Sequence, residues 1–186
     1  MSQDLQKITE QQLITGCLKG KLDFQRELFV RYSGKMLGVS RRYSRNYEDA
    51  KDILQDSFIK IFNNLSYFRY EGSLECCIRK TVVHTALNYY RKSSFKSEKT
   101  GLEKQQGLEG INPEAFECLY EKDIIAAITT LPDGYRMVFN LYAIEGYSHK
   151  EIAVMLDIDE STSRSQLFKA RNSLKVILLK TQNILV

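Results

Sequence analysis

The apolar residues between Tyr47 and Leu65 recur about every 3.6 residues, and this period constrains the fold more than any other feature of the chain. In "YEDAKDILQDSFIKIFNNL" the repeating positions are Ala50, Ile53, Leu54, Ser57, Phe58, Ile61, Phe62 and Leu65. Such spacing gives an α-helix one apolar face. Similar patterns fill most of the chain, and its 186 residues include only 2 Pro and 10 Gly to break them. We therefore expect an all-α protein.

Short polar patterns place the starts of individual helices. Thr9 with Gln12, and Ser148 with Glu151, have the spacing of a capping box, in which two side chains each accept a bond from a backbone N–H. Asp23 is expected to be the N-cap of a second helix, because a short acidic side chain can accept the first free N–H groups.

The middle of the chain lacks apolar periodicity. The segment "SSFKSEKTGLEKQQGLEGINPE" contains three glycines, one proline and charges of both signs, a composition typical of a linker. We expect two small helical domains, over residues 1–94 and 115–186, joined by a flexible linker over 95–114. The helix before the linker is expected to run from about Leu74 to Arg91, and Pro132 suits the first turn of a later helix.

The carboxyl-terminal segment predicts a helix-turn-helix. Two short amphipathic helices flank the turn "DIDES", and the second begins near Ser161, after which the chain contains no Asp or Glu. Localised positive charge is the electrostatic footprint of a nucleic-acid-binding surface. The candidate residues for binding duplex DNA are Arg164, Ser165, Phe168, Lys169 and Arg171. Ser163 shares the inward face with Leu167 and Ala170, so we expect it to be buried and bonded to a first-turn backbone group.

Two neighbouring segments of the first half offer a second nucleic-acid surface. The loop "FRYEGS" combines aromatic rings with a cation, which suits capture of an unstacked base, although its Gly and Ser also suit an ordinary loop. The basic side of the helix that follows is either exposed to solvent or lies along a DNA strand. The candidates are Phe68, Arg69 and Tyr70 in the loop, and His84, Asn88 and Arg91 on the helix.

A third group lies opposite the apolar stripe of the helix that begins at Tyr47. Its members are Asp52, Gln55, Asp56 and Ile59. On periodicity alone, an acidic edge exposed to solvent is as consistent with this pattern as a binding surface is. An exposed Ile59 beside acids fits a protein interface better than solvent.

Several functional classes lack support in the sequence. No paired carboxylates, Gly-rich phosphate loop or supported nucleophile indicates an enzyme. The four cysteines and two histidines lack the spacing of a metal site, so we expect no metal and no cofactor. The start "MSQDLQKITEQQ" lacks an apolar signal core, and no apolar run approaches the roughly 20 residues of a membrane span. A cytoplasmic location is expected.

The chain resembles a bacterial RNA polymerase sigma factor of the extracytoplasmic-function type over nearly its whole length. The segment "AKDILQDSFIKIF" resembles the region-two helix, and "LPDGYRMVFNLYAIEGYSHKEIAVMLDIDESTSRSQLFKAR" resembles region four. The resemblance implies binding to core RNA polymerase, through its β′ clamp helices and β flap, and to promoter DNA. It also implies an anti-sigma partner.

The resemblance assigns roles to the candidate residues. The group containing Asp52 would bind the clamp helices, the loop containing Phe68 would hold a base of the minus-ten element, and the helix containing Arg164 would read the minus-thirty-five element. The chain departs from the family pattern at three positions. Cys77 stands where Trp is usual, which predicts a less filled core, His84 stands where Asn is frequent, and Ser163 stands where Val is frequent.

Two other classes remain open on the residues alone. A free-standing helix-turn-helix regulator would bind palindromic duplex DNA as a dimer, with half-sites about one turn apart. A helical interaction protein without a DNA role would leave the acid-free carboxyl-terminal segment unexplained.

Overall fold

The computed structural model describes residues 8–100 and 119–183, and these residues form helices and connecting turns without strands. The protein is all-α, as the periodicity predicts. It divides into two compact units, Met1–Tyr89 and Tyr90–Val186, and each is described by itself.

From residue 8 onward, the described part of the first unit contains three helices and most of a fourth, whose last residues lie beyond Tyr89, joined by short turns. They are α1 (Glu10–Leu18), α2 (Leu22–Tyr43), α3 (Tyr47–Asn64) and α4 (Leu74–Thr100), with a 3-10 turn over Leu65–Tyr67. The capping box of Thr9 and Gln12 is confirmed at the start of α1. The prediction for Asp23 was wrong, because α2 begins at Leu22 with Lys21 as N-cap and no side-chain cap. Asp23 lies in the first turn, where its charge stabilises the helix dipole.

The core of the first unit lies between these helices. Its most buried side chains are Leu13, Ile14, Leu28, Met36, Ile53, Leu74 and Ile78. Glu10 connects three helices, since one carboxylate oxygen accepts from the Leu74 N–H at 3.2 Å and the other from the Tyr32 hydroxyl at 3.3 Å. Cys77 is exposed, so the prediction that it leaves a gap in the core was wrong; its neighbour Ile78 is the buried residue.

Helix α4 is longer than predicted. It passes the expected end at Arg91 and the start of the predicted linker, and it ends at Thr100. The remainder of the predicted linker and the expected start of the second domain near Ala115 lie outside the described residues.

The second unit contains the remaining helices. They are α5 (Leu119–Thr129), α6 (Asp133–Phe139), a π-helix (Asn140–Ile144), α7 (His149–Leu156) and α8 (Glu160–Asn183). Pro132 is the N-cap of α6, one residue before the position expected for it. The core brings together Ala127, Ile128, Leu131, Ala170 and Leu174, from α5, the turn after it and α8.

A buried arginine joins α5 to α6. Arg136 donates to the carbonyl oxygens of Thr129 at 3.2 Å and Leu131 at 3.3 Å, and it forms an ion pair with Asp133 at 2.5 Å. A guanidinium can satisfy several acceptors at once, so burial of this charge is compatible with a stable fold. These bonds fix the turn before the helix-turn-helix.

Candidate nucleic-acid and protein interfaces

The helix-turn-helix predicted from the sequence is present. Ser148 and Glu151 form the capping box of α7, with the Ser148 N–H donating to the Glu151 carboxylate at 2.8 Å. Asp157 ends α7 in the left-handed conformation, at φ 56°, and α8 begins at Glu160. The turn is therefore shorter than the predicted "DIDES", and Glu160 belongs to the second helix.

Helix α8 has two distinct sides. Leu167, Ala170 and Leu174 are buried, as the spacing predicts. All five candidate residues for binding duplex DNA are exposed, namely Arg164, Ser165, Phe168, Lys169 and Arg171. Phe168 is 67% exposed, so most of its ring is accessible to a ligand.

One acid accompanies the exposed cations. Glu160 forms an ion pair with Arg164, one turn later on α8. The helix is thus not free of acids, contrary to the prediction, because it begins one residue before the acid-free segment. Glu160 competes for the guanidinium that we expect to contact DNA.

Ser163 is buried, as predicted, but its hydroxyl partner was predicted wrongly. Its oxygen lies 2.9 Å from Nδ1 of His149, the first residue of α7. The bond joins the two helices of the helix-turn-helix. The sequence pattern does not predict this pair, because the two residues are 14 positions apart and lie on different helices.

His149 is part of a larger cluster. Its ring stacks on Tyr142 of the π-helix, with centroids 4.5 Å apart and planes 22° from parallel. The guanidinium carbon of Arg171 lies 5.7 Å from the Tyr142 ring centroid. Burial lowers the pKa of His149, the positive charges of Arg164 and Arg171 lower it further, and Glu160 opposes them.

The aromatic loop of the first unit follows α3. The rings of Phe68 and Tyr70 meet edge to face, with centroids 5.0 Å apart, and Tyr70 has a positive φ of 59°. Arg69 and Tyr70 are exposed, whereas Phe68 is half-buried. Tyr67, which was not predicted as a site residue, has a side chain that is 77% exposed. Its ring offers more free stacking area than that of Phe68.

A groove of about 380 Å³ lies between α3 and α4. His84 and Asn88 line it, and both are exposed, as is Arg91 further along α4. The groove is also lined by Lys60 and Lys80, which were not predicted as site residues. Lys60 donates to the Thr85 hydroxyl at 3.1 Å across the groove.

The acidic face of α3 is exposed as predicted. Asp52, Gln55, Asp56 and Ile59 are all exposed, and Ile59 is 52% exposed. The acids of α3 raise the pKa of the neighbouring Tyr89. Its hydrogen bond to Asp49, of 2.8 Å, is the largest cause that raises the pKa of Tyr89 to about 12, with burial and the charges of the acids adding to it.

In residues 8–100 and 119–183, no three His, Cys, Asp or Glu side chains converge at a possible metal site. None of the described helices is both long and apolar enough to cross a membrane.

Comparison with known proteins matches both parts of the chain. Residues 28–95 match the family model of Sigma-70 region 2, and residues 121–174 match that of Sigma-70, region 4. The extracytoplasmic-function RNA polymerase sigma-E factor of Salmonella typhimurium is 29% identical over 180 residues, which cover 91% of this chain and 94% of the relative. The sigma-E factor of Haemophilus influenzae is 27% identical over 182 residues, covering 91% and 95%.

A solved structure has the same fold. It is the sigma factor RpoE of Bartonella quintana in complex with the anti-sigma factor NepR, with a TM-score of 0.55 and 18% identity over 82% of this chain and 95% of that one.

The two matched segments, in this order, define a sigma factor, the subunit that binds core RNA polymerase and directs promoter recognition. The chain belongs to the Sigma-70 family and is of its extracytoplasmic-function type. A free-standing regulator would not explain the match of residues 28–95 to region 2.

Proposed function

We propose that the chain divides promoter recognition between its two halves. A domain over residues 1–94 binds core polymerase and the minus-ten element, a linker over 95–114 joins the halves, and a domain over 115–186 binds the minus-thirty-five element. The observation that carries this proposal is α8, which buries one side and exposes the cations Arg164, Lys169 and Arg171, the Ser165 hydroxyl and the Phe168 ring.

In this proposal α8 enters the major groove of the upstream duplex. Arg164 and Ser165 lie in the early turns, where the recognition helix of a helix-turn-helix contacts base edges. Phe168 can contact a thymine methyl, and Lys169 and Arg171 can contact phosphates. Their exposure supports these roles.

The loop after α3 traps an unstacked base of the minus-ten element. The exposed rings of Tyr67 and Tyr70 and the cation of Arg69 support this role, and the Phe68 ring contacts that of Tyr70 edge to face. His84, Asn88 and Arg91 then lie along the opened strand on α4. Lys60 and Lys80 add positive charge in the adjacent groove.

Helix α3 docks on the clamp helices of the polymerase β′ subunit. The exposed side chain of Ile59 supplies apolar contact, and Asp52 and Asp56 supply charge for basic partner residues. We place a second polymerase contact, with the β flap, on the second domain. An anti-sigma factor is a further partner, supported by the solved RpoE–NepR complex of the same fold.

The chain itself carries no catalytic step in this proposal, because RNA synthesis belongs to the polymerase. It needs no cofactor or metal, takes no small-molecule substrate, and acts in the cytoplasm, where the chromosome lies.

One reconstitution tests the proposal. The full chain is mixed with core polymerase, the complex is purified, and its transcription is measured on a library of promoters. We expect stable binding and transcription from promoters that share two elements at a fixed spacing. Binding to palindromic duplex DNA without polymerase, and no transcription, would support the free-standing regulator instead.

A further inference from the structure

A stacked column of side chains leads from inside the helix-turn-helix to its surface. The Ser163 oxygen contacts His149 at 2.9 Å, the His149 ring stacks on Tyr142 at 4.5 Å, and the Arg171 guanidinium lies 5.7 Å from the centre of the Tyr142 ring. The column joins α8 to α7, α7 to the π-helix, and the π-helix back to α8. Its buried end is Ser163 and its exposed end is Arg171.

The column restricts the position of the Arg171 side chain. A free arginine on a helix samples many rotamers, and ordering them on binding lowers affinity. A guanidinium near an aromatic face is attracted by the ring's quadrupole and is held without losing its hydrogen-bond donors at the edge. Tyr142 is 37% exposed, so its ring supports Arg171 while the N–H groups remain available to a ligand.

Tyr142 is itself held in place. One side of its ring system is in contact with His149, and the bond to buried Ser163 fixes the orientation of the imidazole. The π-helix that carries Tyr142 is an irregular segment of a type that is frequent at functional sites.

Arg171 lies where a phosphate contact is expected. It follows Arg164 by seven residues, so it lies on nearly the same side of α8, about 10 Å further along the axis. The early turns of a recognition helix read bases, and groups further along meet the sugar–phosphate backbone.

We propose that Tyr142 is a positioning residue, which holds Arg171 ready for a phosphate of the promoter duplex and is itself supported by His149. This inference rests on the proposed contact between α8 and DNA. The contacts inside the helix-turn-helix thus hold the Arg171 guanidinium in position at its surface before DNA binds.

The test measures binding of the holoenzyme to duplex DNA carrying the upstream element, over a series of salt concentrations. Tyr142→Leu is expected to weaken binding about two- to five-fold, the range for an exposed cation–π contact. Tyr142→Phe keeps the ring and should bind DNA with the affinity of the wild-type protein. Arg171→Ala should weaken binding more and reduce the salt slope by about one.

The double variant separates positioning from a merely structural role. If Tyr142 acts through Arg171, Tyr142→Leu has no further effect in an Arg171→Ala background. Equal weakening in both backgrounds, or failure of Tyr142→Phe to retain binding, would overturn the inference. Amide hydrogen exchange of α8 checks that each variant is folded.

Two more variants distinguish this inference from the proposed function. If Arg164→Ala and Lys169→Ala weaken binding and Arg171→Ala does not, the inference alone fails. If none of the three weakens binding, α8 does not contact DNA and the proposed function fails with it.

Discussion

His149 is the residue whose environment most clearly links protonation to stability. Burial, Arg164 and Arg171 lower its pKa below the ordinary value of 6.5, with Glu160 opposing. The imidazole therefore binds a proton less readily in the folded chain than in the unfolded chain. Protonation does not break the contact with Ser163, because a hydroxyl can accept from the Nδ1–H that forms. The cost arises from burial and from the two guanidinium groups.

We predict that the second unit loses stability as the pH falls. Full stability is present above pH 6.5, and it declines between 6.5 and the lowered pKa of the folded state, because the unfolded chain binds more protons there. Amide hydrogen exchange of α8 and α5 reports on the second unit separately from the first, and it measures this loss of stability between pH 8 and pH 5. The bonds with Ser148 lower the pKa of Glu151 from 4.5, so protonation of this carboxylate reduces stability only below that pH range.

His149→Gln keeps a hydrogen-bonding group for Ser163 and should remove the pH dependence. The matched control is His84→Gln, which changes the other histidine of the chain, in α4, and should leave the dependence intact. A pH profile that is the same in all three proteins would contradict the prediction.

Glu160 holds the guanidinium of Arg164 in an exposed ion pair on α8. Glu160→Gln frees the guanidinium and removes a negative charge from a helix that faces phosphates, so affinity for the upstream duplex should increase. An exposed pair contributes about 0.2–1 kcal/mol, which corresponds to a gain of up to about five-fold. Fluorescence anisotropy with the holoenzyme measures it.

Asp157→Asn is the control for charge alone, since Asn tolerates the left-handed conformation at that turn. It makes the same change in net charge without removing the partner of Arg164. Equal gains in both variants would show that the ion pair itself has no effect on DNA binding.

At the scale of helices and loops, local chemistry was the most predictable part of the structure. The apolar stripe of α3 and both capping boxes are read from residues within one or two turns, and the structure confirms them. The start of α2 was not predicted, because Asp23 stabilises the first turn without capping it. Tertiary pairs such as Ser163 with His149 have no local signal, since their distance depends on how α7 and α8 pack.

Phe68 lies in the loop after α3, which we propose to hold an unstacked base. Phe68→Ala should spare the closed promoter complex and impair opening, because base stacking of about 1–3 kcal/mol is gained only after a base leaves the duplex. It also removes the edge contact that supports Tyr70. Transcription from duplex and premelted promoters measures this, and the premelted template should restore activity.

Tyr67→Ala is the informative comparison, because Tyr67 is exposed and has more free ring area than Phe68. The same defect in Tyr67→Ala would place the base on the exposed ring. If the premelted template restores neither variant, the loop has a structural role.

For the whole molecule, dividing the contacts between two domains changes the affinity that each one needs. Once the first domain is on the polymerase, the second meets its DNA element at a high effective concentration, so moderate contacts by α8 suffice. This accounts for a recognition helix with few cations and one competing acid, Glu160. It also makes the polymerase-binding face of α3 decisive, since loss of that contact removes the benefit for both DNA elements.

Asp52→Lys combined with Asp56→Lys should therefore abolish binding to core polymerase while the chain stays folded. Both side chains are exposed and lie opposite the buried stripe of α3, so reversal of their charge repels a basic partner surface without disturbing the core. Binding is measured in the absence of DNA, and circular dichroism reports the helix content. Glu71→Lys, which reverses an exposed charge in the loop before α4, is the control and should bind normally. Ile59→Ala should give an intermediate loss, because it removes apolar contact and leaves the acids in place. Unchanged affinity of the double variant would exclude this face of α3 as the docking surface, and the acids would then be a solvent-exposed edge of the helix.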